Sequence, residues 1–288
     1  AVTMAPVTVM SPRSTGPARA APGSATLSAA GKFGQYVGHL EIRLEAGDDR
    51  VRITGGCLPT DELQRDADID RLIADYRGKA LAAMNRPVAR LTDPLPLHPY
   101  EESPFATLLA SAVRRVTGTE IGLVNAGQLL GALPAGEVTE LKLHELCPSP
   151  INPCAIKLSG RQLIHSLEES LLPEYYELEF RGFGFRGNVL GTLCTDGLEL
   201  VIDETKPAYH RIVEARVEGE PLQSDRIYDV GTLDMFTFGV GYVGLKEGTE
   251  ARYLLPDYIR HTLADALNDE SMIRDSFRPR RSYRQRQL

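Results

Sequence analysis

The chain has 288 residues, 42% hydrophobic and 25% charged, so it is long enough to bury a core in one large or two modest domains. A formal charge of -7 repels polyanions and argues against a nucleic-acid binder, and no apolar run is long enough to span a bilayer, so neither nucleic acid nor a membrane is an expected partner. The cysteines, Cys57, Cys147, Cys154 and Cys194, show no C-x-x-C spacing, and the first residues lack the basic-then-apolar pattern of a secretory signal; a reducing, cytoplasmic setting is the plain expectation.

Residues 1–25 are rich in Ala, Pro, Ser, Thr and Gly and carry no periodic apolar face, which predicts disorder or a linker. The first residue is Ala rather than Met, as in a processed or truncated product. Gln35 to Leu44 alternates as a half-buried strand does, Asp48 and Asp49 make a turn, and Val51 to Gly55 returns, giving a hairpin that needs further strands for stability. Ile69, Leu72, Ile73, Tyr76 and Ala80 recur at helical spacing behind Asp66, Asp68 and Asp70, and Pro87 stops the pattern; this helix suits a connector, with the Pro-rich stretch Thr92 to Tyr100 as a hinge. Ser103 and Pro104 open a second helix, Gly118 closes it, and Phe105, Leu108, Leu109, Ala112, Val113 and Val116 form its apolar stripe.

From Ile121 to Leu171 the sequence reads as an apolar strand, the turn Asn125-Ala-Gly-Gln128, a second turn Pro134-Ala-Gly-Glu137, a short helix, the segment Cys147-Pro-Ser-Pro-Ile-Asn-Pro-Cys154, a strand, and an amphipathic helix opening at Ser159 with Leu163, Leu167 and Leu171 inward. Two more strands, Leu198 to Ile202 and His210 to Val217, lead to Tyr228–Tyr242 and to a last helix from Pro256 with Tyr258, Ile259, Leu263 and Leu267 inward. The tail from Arg274 is basic and expected to fray. Mixed strands and helices without strict alternation predict an α+β or irregular α/β fold.

Gly182-x-Gly-x-x-Gly187 matches a dinucleotide fingerprint by letter, but no helix pattern follows Gly187, so the context fails. Phe183 and Phe185 lie between those glycines, where a flat ligand has room to stack on a ring face; the alternative is aromatic packing in the core. Arg186 is placed to hold a phosphate or carboxylate, or to pair with a surface acid. A second cluster, Met235 to Tyr242, carries Phe236 and Phe238: facing the first, it would enclose a purine between two rings; isolated, it is a loop packed on the core. Asn125, Gly127 and Gln128 sit at a strand end where backbone and amide groups meet ligands, or where amides tie their own turn.

No two of the six histidines fall at metal-ligand spacing, and Cys147 and Cys154 read first as buried thiols, with a disulfide or metal clip as the lesser option. No G-x-S-x-G, phosphate-binding loop or Ser/His/Asp signature occurs. Arg278, Arg280, Arg281, Arg284 and Arg286 beside Tyr283 are read as a solvated tail, with RNA or acidic lipid as the weaker alternative.

Together these stretches resemble the C-terminal domain of the 5′-nucleotidase family, the two-domain metallophosphoesterases, over roughly residues 97–266. Asn125-Ala-Gly-Gln-Leu-Leu130 stands where that family has Asn-Gly-Gly-Gly-Ile-Arg, Pro134-Ala-Gly-Glu-Val-Thr139 is similar to Ala-Gly-Asp-Ile-Thr, and Leu158-Ser-Gly-Arg-Gln-Leu163 to its strand-to-helix step. Tyr228 to Phe236 with Gly239-Val-Gly-Tyr242 resembles Tyr-x-Val-x-x-Asn-Asp-Phe with Gly-Gly-Asp-Gly-Tyr, and the Cys147–Cys154 and Gly182–Gly187 segments resemble a bacterial bifunctional metallophosphatase/5′-nucleotidase subgroup.

The resemblance implies an α+β fold of layered sheets and helices. It implies a segment 1–25 of linker, terminal strands of a metallophosphoesterase domain at 26–58, a linker helix and hinge at 59–96, a substrate-binding domain at 97–270, and a basic tail at 271–288. The implied function is the nucleotide-binding part of a phosphoester hydrolase, with Asn125, Gly127, Gln128, Phe183, Phe185, Arg186, Phe236 and Phe238 contacting the substrate. Two divalent ions (Mn, Zn, Co or Mg) would belong to a metallophosphoesterase domain whose Asp-x-His, Asn-His-Glu and Gly-His-x-His signatures this sequence lacks, so that domain is an expected partner and the chain alone is expected to be inactive. The alternative is a non-catalytic nucleotide-binding or interaction module. Leu130 in place of the family's Arg, and Val240 in place of its Asp, put ordinary nucleoside monophosphate specificity in question.

Overall fold

A computed structural model describes residues 7–10, 25–31, 33–44 and 51–285. The chain divides into two compact units, Ala1–Arg77 and Gly78–Leu288.

In the first unit, β1 (Val7–Met10) pairs parallel with β2 (Ala25–Ser28), and β3 (Tyr36–Leu44) pairs antiparallel with β4 (Val51–Pro59) in unbroken register from Tyr36 opposite Pro59 to Leu44 opposite Val51. The hairpin expected from the alternation is present, and its Asp48-Asp49 turn lies outside the described residues. A strand at Val7–Met10 differs from the unstructured segment expected there; most of residues 1–25 lie outside the described set. Helix α1 (Ala67–Met84), which runs on past the end of this unit at Arg77, forms where its periodicity predicts, with Asp68 and Asp70 in its first turn, yet none of its residues is buried; Ile69, Leu72, Ile73 and Tyr76 form an exposed apolar face.

The second unit is built on a five-stranded mixed sheet. After β5 (Pro87–Leu91), helix α2 (Pro104–Thr117) feeds β6 (Ile121–Asn125), then β7 (Gly136–Thr139), α3 (Glu140–Leu146), β8 (Pro153–Ser159), α4 (Gly160–Glu169) and α5 (Pro173–Tyr176). There follow β9 (Leu193–Asp196), β10 (Leu198–Asp203), β11 (Ile212–Val217), β12 (Glu220–Pro221), β13 (Ile227–Leu233), α6 (Asp234–Thr237), β14 (Thr249–Tyr253), α7 (Ile259–Ala266), α8 (Glu270–Ser276) and β15 (Arg281–Gln285). The main sheet runs β14-β8-β13-β6-β9, with β13 parallel to β6 and antiparallel to β8; a second runs β12-β11-β10-β15. β5 pairs with β7, and Leu95 in the Pro-rich stretch bridges Leu133, both fully buried.

Helix α2 is the spine of the core. Pro104 occupies its first turn, and the N–H of Gly118, left-handed at φ 66°, donates to the Arg114 and Arg115 carbonyls. Phe105, Leu108, Leu109, Ala112 and Val113 are fully buried, each larger side chain contributing about 1.5–3 kcal/mol by burial, whereas Val116 faces out. The helix lies so close to β6 that a Cβ at Gly122 would stand 2.2 Å from the Ala110 carbonyl oxygen. Every residue of β6 is buried, so no alternation survives along it. At the other end, Ser159 and Gln162 form a reciprocal capping box that starts α4 where the sequence predicts it.

The basic tail does not fray as far as it is described. Residues 270–276 form α8, and β15 adds to β10 in parallel register, Leu200 opposite Arg281 and Ile202 opposite Tyr283. Arg280 is buried and bonds Asp196 at 2.8 Å and Asp275 at 2.5 Å, while Arg114 reaches Asp196 at 3.2 Å, so one ionic knot ties α2, β9 and α8 together. Arg286 lies outside the described residues.

Candidate functional site

Two aromatic loops meet at one end of the main sheet. In the first, the Phe185 N–H donates to the Gly182 carbonyl at 2.9 Å, closing a tight turn with positive φ at both central residues, Phe183 (47°) and Gly184 (83°). That is the pattern of a type I′ turn, in which a phenylalanine is an uncommon occupant because its Cβ crowds the backbone. The Phe183 ring nevertheless stands at the tip, 61% exposed, so neither burial nor local preference accounts for it. Phe185, two residues on, is 1% exposed and part of the core. No helix follows Gly187, in keeping with the failed dinucleotide pattern.

The second loop follows β13. The short helix α6 ends as the Gly239 N–H donates to the Phe236 carbonyl at 2.9 Å, and Gly239 takes φ 76°. Phe236 turns into the core at 0% exposure, whereas Phe238 faces out at 56%. The exposed rings of the two loops therefore face one another: the Phe183 and Phe238 centroids are 6.2 Å apart with planes 25° from parallel. Two rings not singled out from the sequence extend the row, Tyr253 beyond Phe238 (6.4 Å, 9°) and Phe180 beyond Phe183 (6.3 Å, 25°). Tyr253 ends an edge strand and Phe180 lies in an irregular segment, so nothing local in the sequence marked either one; only the pairing of β14 with β8 brings Tyr253 near.

Asn125 and Gln128 are both completely buried. Asn125 Nδ2 donates to the Leu190 carbonyl at 2.6 Å, and Gln128 Nε2 donates to Asn125 Oδ1 at 2.8 Å and to Met235 Sδ at 3.2 Å. The pair thus ties the end of β6 to Leu190, three residues beyond Gly187, and to α6. Gln128 Oε1 is buried without a partner among the described residues. Gly127 is required by close approach, because a Cβ there would stand 2.0 Å from the Val189 carbonyl oxygen and 2.4 Å from that of Leu190; a Cβ at Gly187 would in turn strike the Gly127 carbonyl at 2.1 Å.

Arg186 is exposed, its Nη1 donating to the Phe185 carbonyl at 3.2 Å and its backbone N–H to Ser149 Oγ at 3.1 Å, which docks the first loop on the Pro-rich segment. Within that segment Cys147 and Cys154 are free and buried, and burial pushes both thiols up to about 12, so they are inert apolar fillers. Asp234, at the start of α6, accepts from the Asn152 N–H at 3.3 Å; its own burial holds the carboxyl above the usual range. Leu130 is exposed and Val240 nearly buried, both without charge to offer a phosphate. Among the described residues no three His, Cys, Asp or Glu side chains are grouped to hold a metal ion, so these residues do not fit a two-metal centre. No helix among them is long and apolar enough to cross a membrane.

Layered sheets and helices carrying two aromatic turns with facing exposed rings make this an α+β ligand-binding type of domain. The chain belongs to the family described as 5′-nucleotidase, C-terminal domain, whose model matches residues 87–246. It is 30% identical over 240 residues to the uncharacterized metallophosphoesterase YunD of Bacillus subtilis, an alignment covering 83% of this chain and 52% of that protein. Among solved structures it is similar in fold to a putative 5′-nucleotidase from Staphylococcus aureus (TM-score 0.65, 15% identity, 93% of this chain and 54% of that one). A 5′-nucleotidase precursor from Thermus thermophilus is also similar (TM-score 0.57, 22% identity, 88% and 51%). The chain spans about half the length of these relatives.

Proposed function

We propose that this domain holds the base of a nucleotide, or the flat group of a related phosphoester, between Phe183 and Phe238, as the substrate-binding part of a phosphoester hydrolase. The carrying observation is the pair of exposed, near-parallel rings 6.2 Å apart. A planar heterocycle between two rings needs about 3.5 Å on each side, so the two turns must part to admit one. Family membership and the metallophosphoesterase relative support hydrolysis as the reaction, with divalent ions and the activated water coming from residues other than those described here.

A second reading, a binding module without catalysis, is favoured by Leu130 and Val240, which leave the phosphate side without the charges the family places there. The experiment is an assay of the purified chain with AMP and bis-(p-nitrophenyl) phosphate, with added manganese or cobalt, beside an AMP titration. Saturable AMP binding that Phe238→Ala weakens supports the clamp; phosphate release abolished by EDTA removes the second reading. AMP binding unchanged by Phe238→Ala overturns the clamp.

A further inference from the structure

Away from the aromatic clamp, α5, the loop before α2, and the paired strands β10 and β15 enclose a cavity of about 490 Å³. Its wall includes Arg281, Arg211, Tyr100, Tyr176, Ser170 and Ile202. A cavity of this size suits a small organic ligand.

Arg281 is only 5% exposed. Its Nη1 donates to Thr192 Oγ1 at 3.2 Å and its Nη2 to the Leu193 carbonyl, while its Nε has no partner among the described residues. No carboxylate forms an ion pair with it among those residues; the nearby Glu102 carboxylate is occupied by the backbone N–H groups of Arg280 and Arg281, at 2.8 and 3.0 Å. The neighbouring Arg280, by contrast, is matched by two aspartates. A buried guanidinium whose Nε is unpaired, and whose nearest carboxylate, Glu102, is bonded to backbone rather than to its fork, is costly, and that planar fork is shaped for an oxyanion. Arg211 brings a second guanidinium to the same cavity, anchored by Nη1 to the Leu171 carbonyl at 2.9 Å.

We infer that this cavity is a binding site for a small organic carboxylate, held by Arg281 and Arg211 with its apolar body against Tyr100, Tyr176 and Ile202. The lining also contains Glu101 and Glu204, which offset part of the positive charge and favour a singly charged carboxylate over a doubly charged phosphate monoester. Tyr100 and Tyr176 form a ring pair at 5.3 Å tilted by 44°, an apolar wall with phenolic edges; burial holds the Tyr176 phenol above its usual range, so it stays a donor.

The test is a fluorine NMR titration of the full chain with 4-fluorobenzoate and, separately, 4-fluorophenyl phosphate. Saturable binding of the benzoate at millimolar concentration, tighter than the phosphate, is expected. Arg211→Gln and Arg281→Lys are each expected to weaken it about ten- to hundredfold, the loss of a charge-assisted hydrogen bond. Arg281 is buried, so Arg211→Gln, at a half-buried position, serves if the other variant does not fold. No saturable benzoate binding, tighter binding of the phosphate, or wild-type affinity in Arg211→Gln would overturn the assignment.

Discussion

Replacing Phe183 by Gly separates the cost of the aromatic clamp from its use. At φ 47° a phenylalanine carries a left-handed penalty of about 1–2 kcal/mol that glycine does not. Against this stand the backbone entropy of glycine, about 0.5–1 kcal/mol, and the loss of ring contacts with Phe180 and Phe238, about 0.5–1.5 kcal/mol each at most. The terms partly cancel, and Phe183→Gly is expected to cost no more than about 3 kcal/mol of folding stability. Phe185→Ala, which empties a core position, is expected to cost about 3–5 kcal/mol. In AMP binding the order reverses: losing one stacking face costs about 1–3 kcal/mol, or about 5- to 150-fold in affinity. Urea denaturation and calorimetric titration of both variants give the four numbers. A Phe183→Gly protein that binds AMP as tightly as wild type, or unfolds as readily as Phe185→Ala, would refute the reasoning.

Other expectations follow from the packing. Gly127→Ala drives a methyl group into the Val189 and Leu190 carbonyls and is expected to destabilise by about 1–3 kcal/mol and to disturb both aromatic loops, visible in the denaturation midpoint and in Phe ring shifts. Asp196→Asn leaves Arg280 half-compensated and is expected to cost about 3–5 kcal/mol in the same denaturation assay. Glu168 is buried, and desolvation raises its carboxyl above the ordinary 4.5 although it accepts the Ile212 N–H at 2.6 Å. The folded state therefore holds this proton more tightly than the unfolded state, and stability is lost as pH rises from 4.5 through the raised value. Glu168→Gln keeps the acceptor without the charge; it is expected to be more stable than wild type at neutral pH and to lose that advantage as pH falls below the ordinary carboxylate range, read by thermal melts across pH.

Much of the local structure was legible because its signals are local. Ser103-Pro104 and Gly118 bound α2, and Ser159 with Gln162 starts α4. What could not be read depended on partners far along the chain. Arg280 looked like part of a solvated basic tail because its main counter-charge, Asp196, is 84 residues away. The period of α1 located the helix but said nothing of burial, and none of its residues is buried. At the site, the glycine-flanked phenylalanines drew attention to the right two loops, but which ring of each pair faces out is set by turn geometry: φ at Phe183 and Gly239 sends Phe183 and Phe238 outward and leaves Phe185 and Phe236 inside. The Asn125 and Gln128 amides find their partners at Leu190 and Met235, contacts that span 65 and 107 residues.

The most direct measurement of the clamp is an intermolecular NOE experiment on the chain with ring-labelled phenylalanine and bound AMP. Contacts from the adenine H2 and H8 protons to two phenylalanines are expected, and they vanish singly in Phe183→Ala and Phe238→Ala. Contacts to one ring only, to neither, or to rings that survive both substitutions would contradict it.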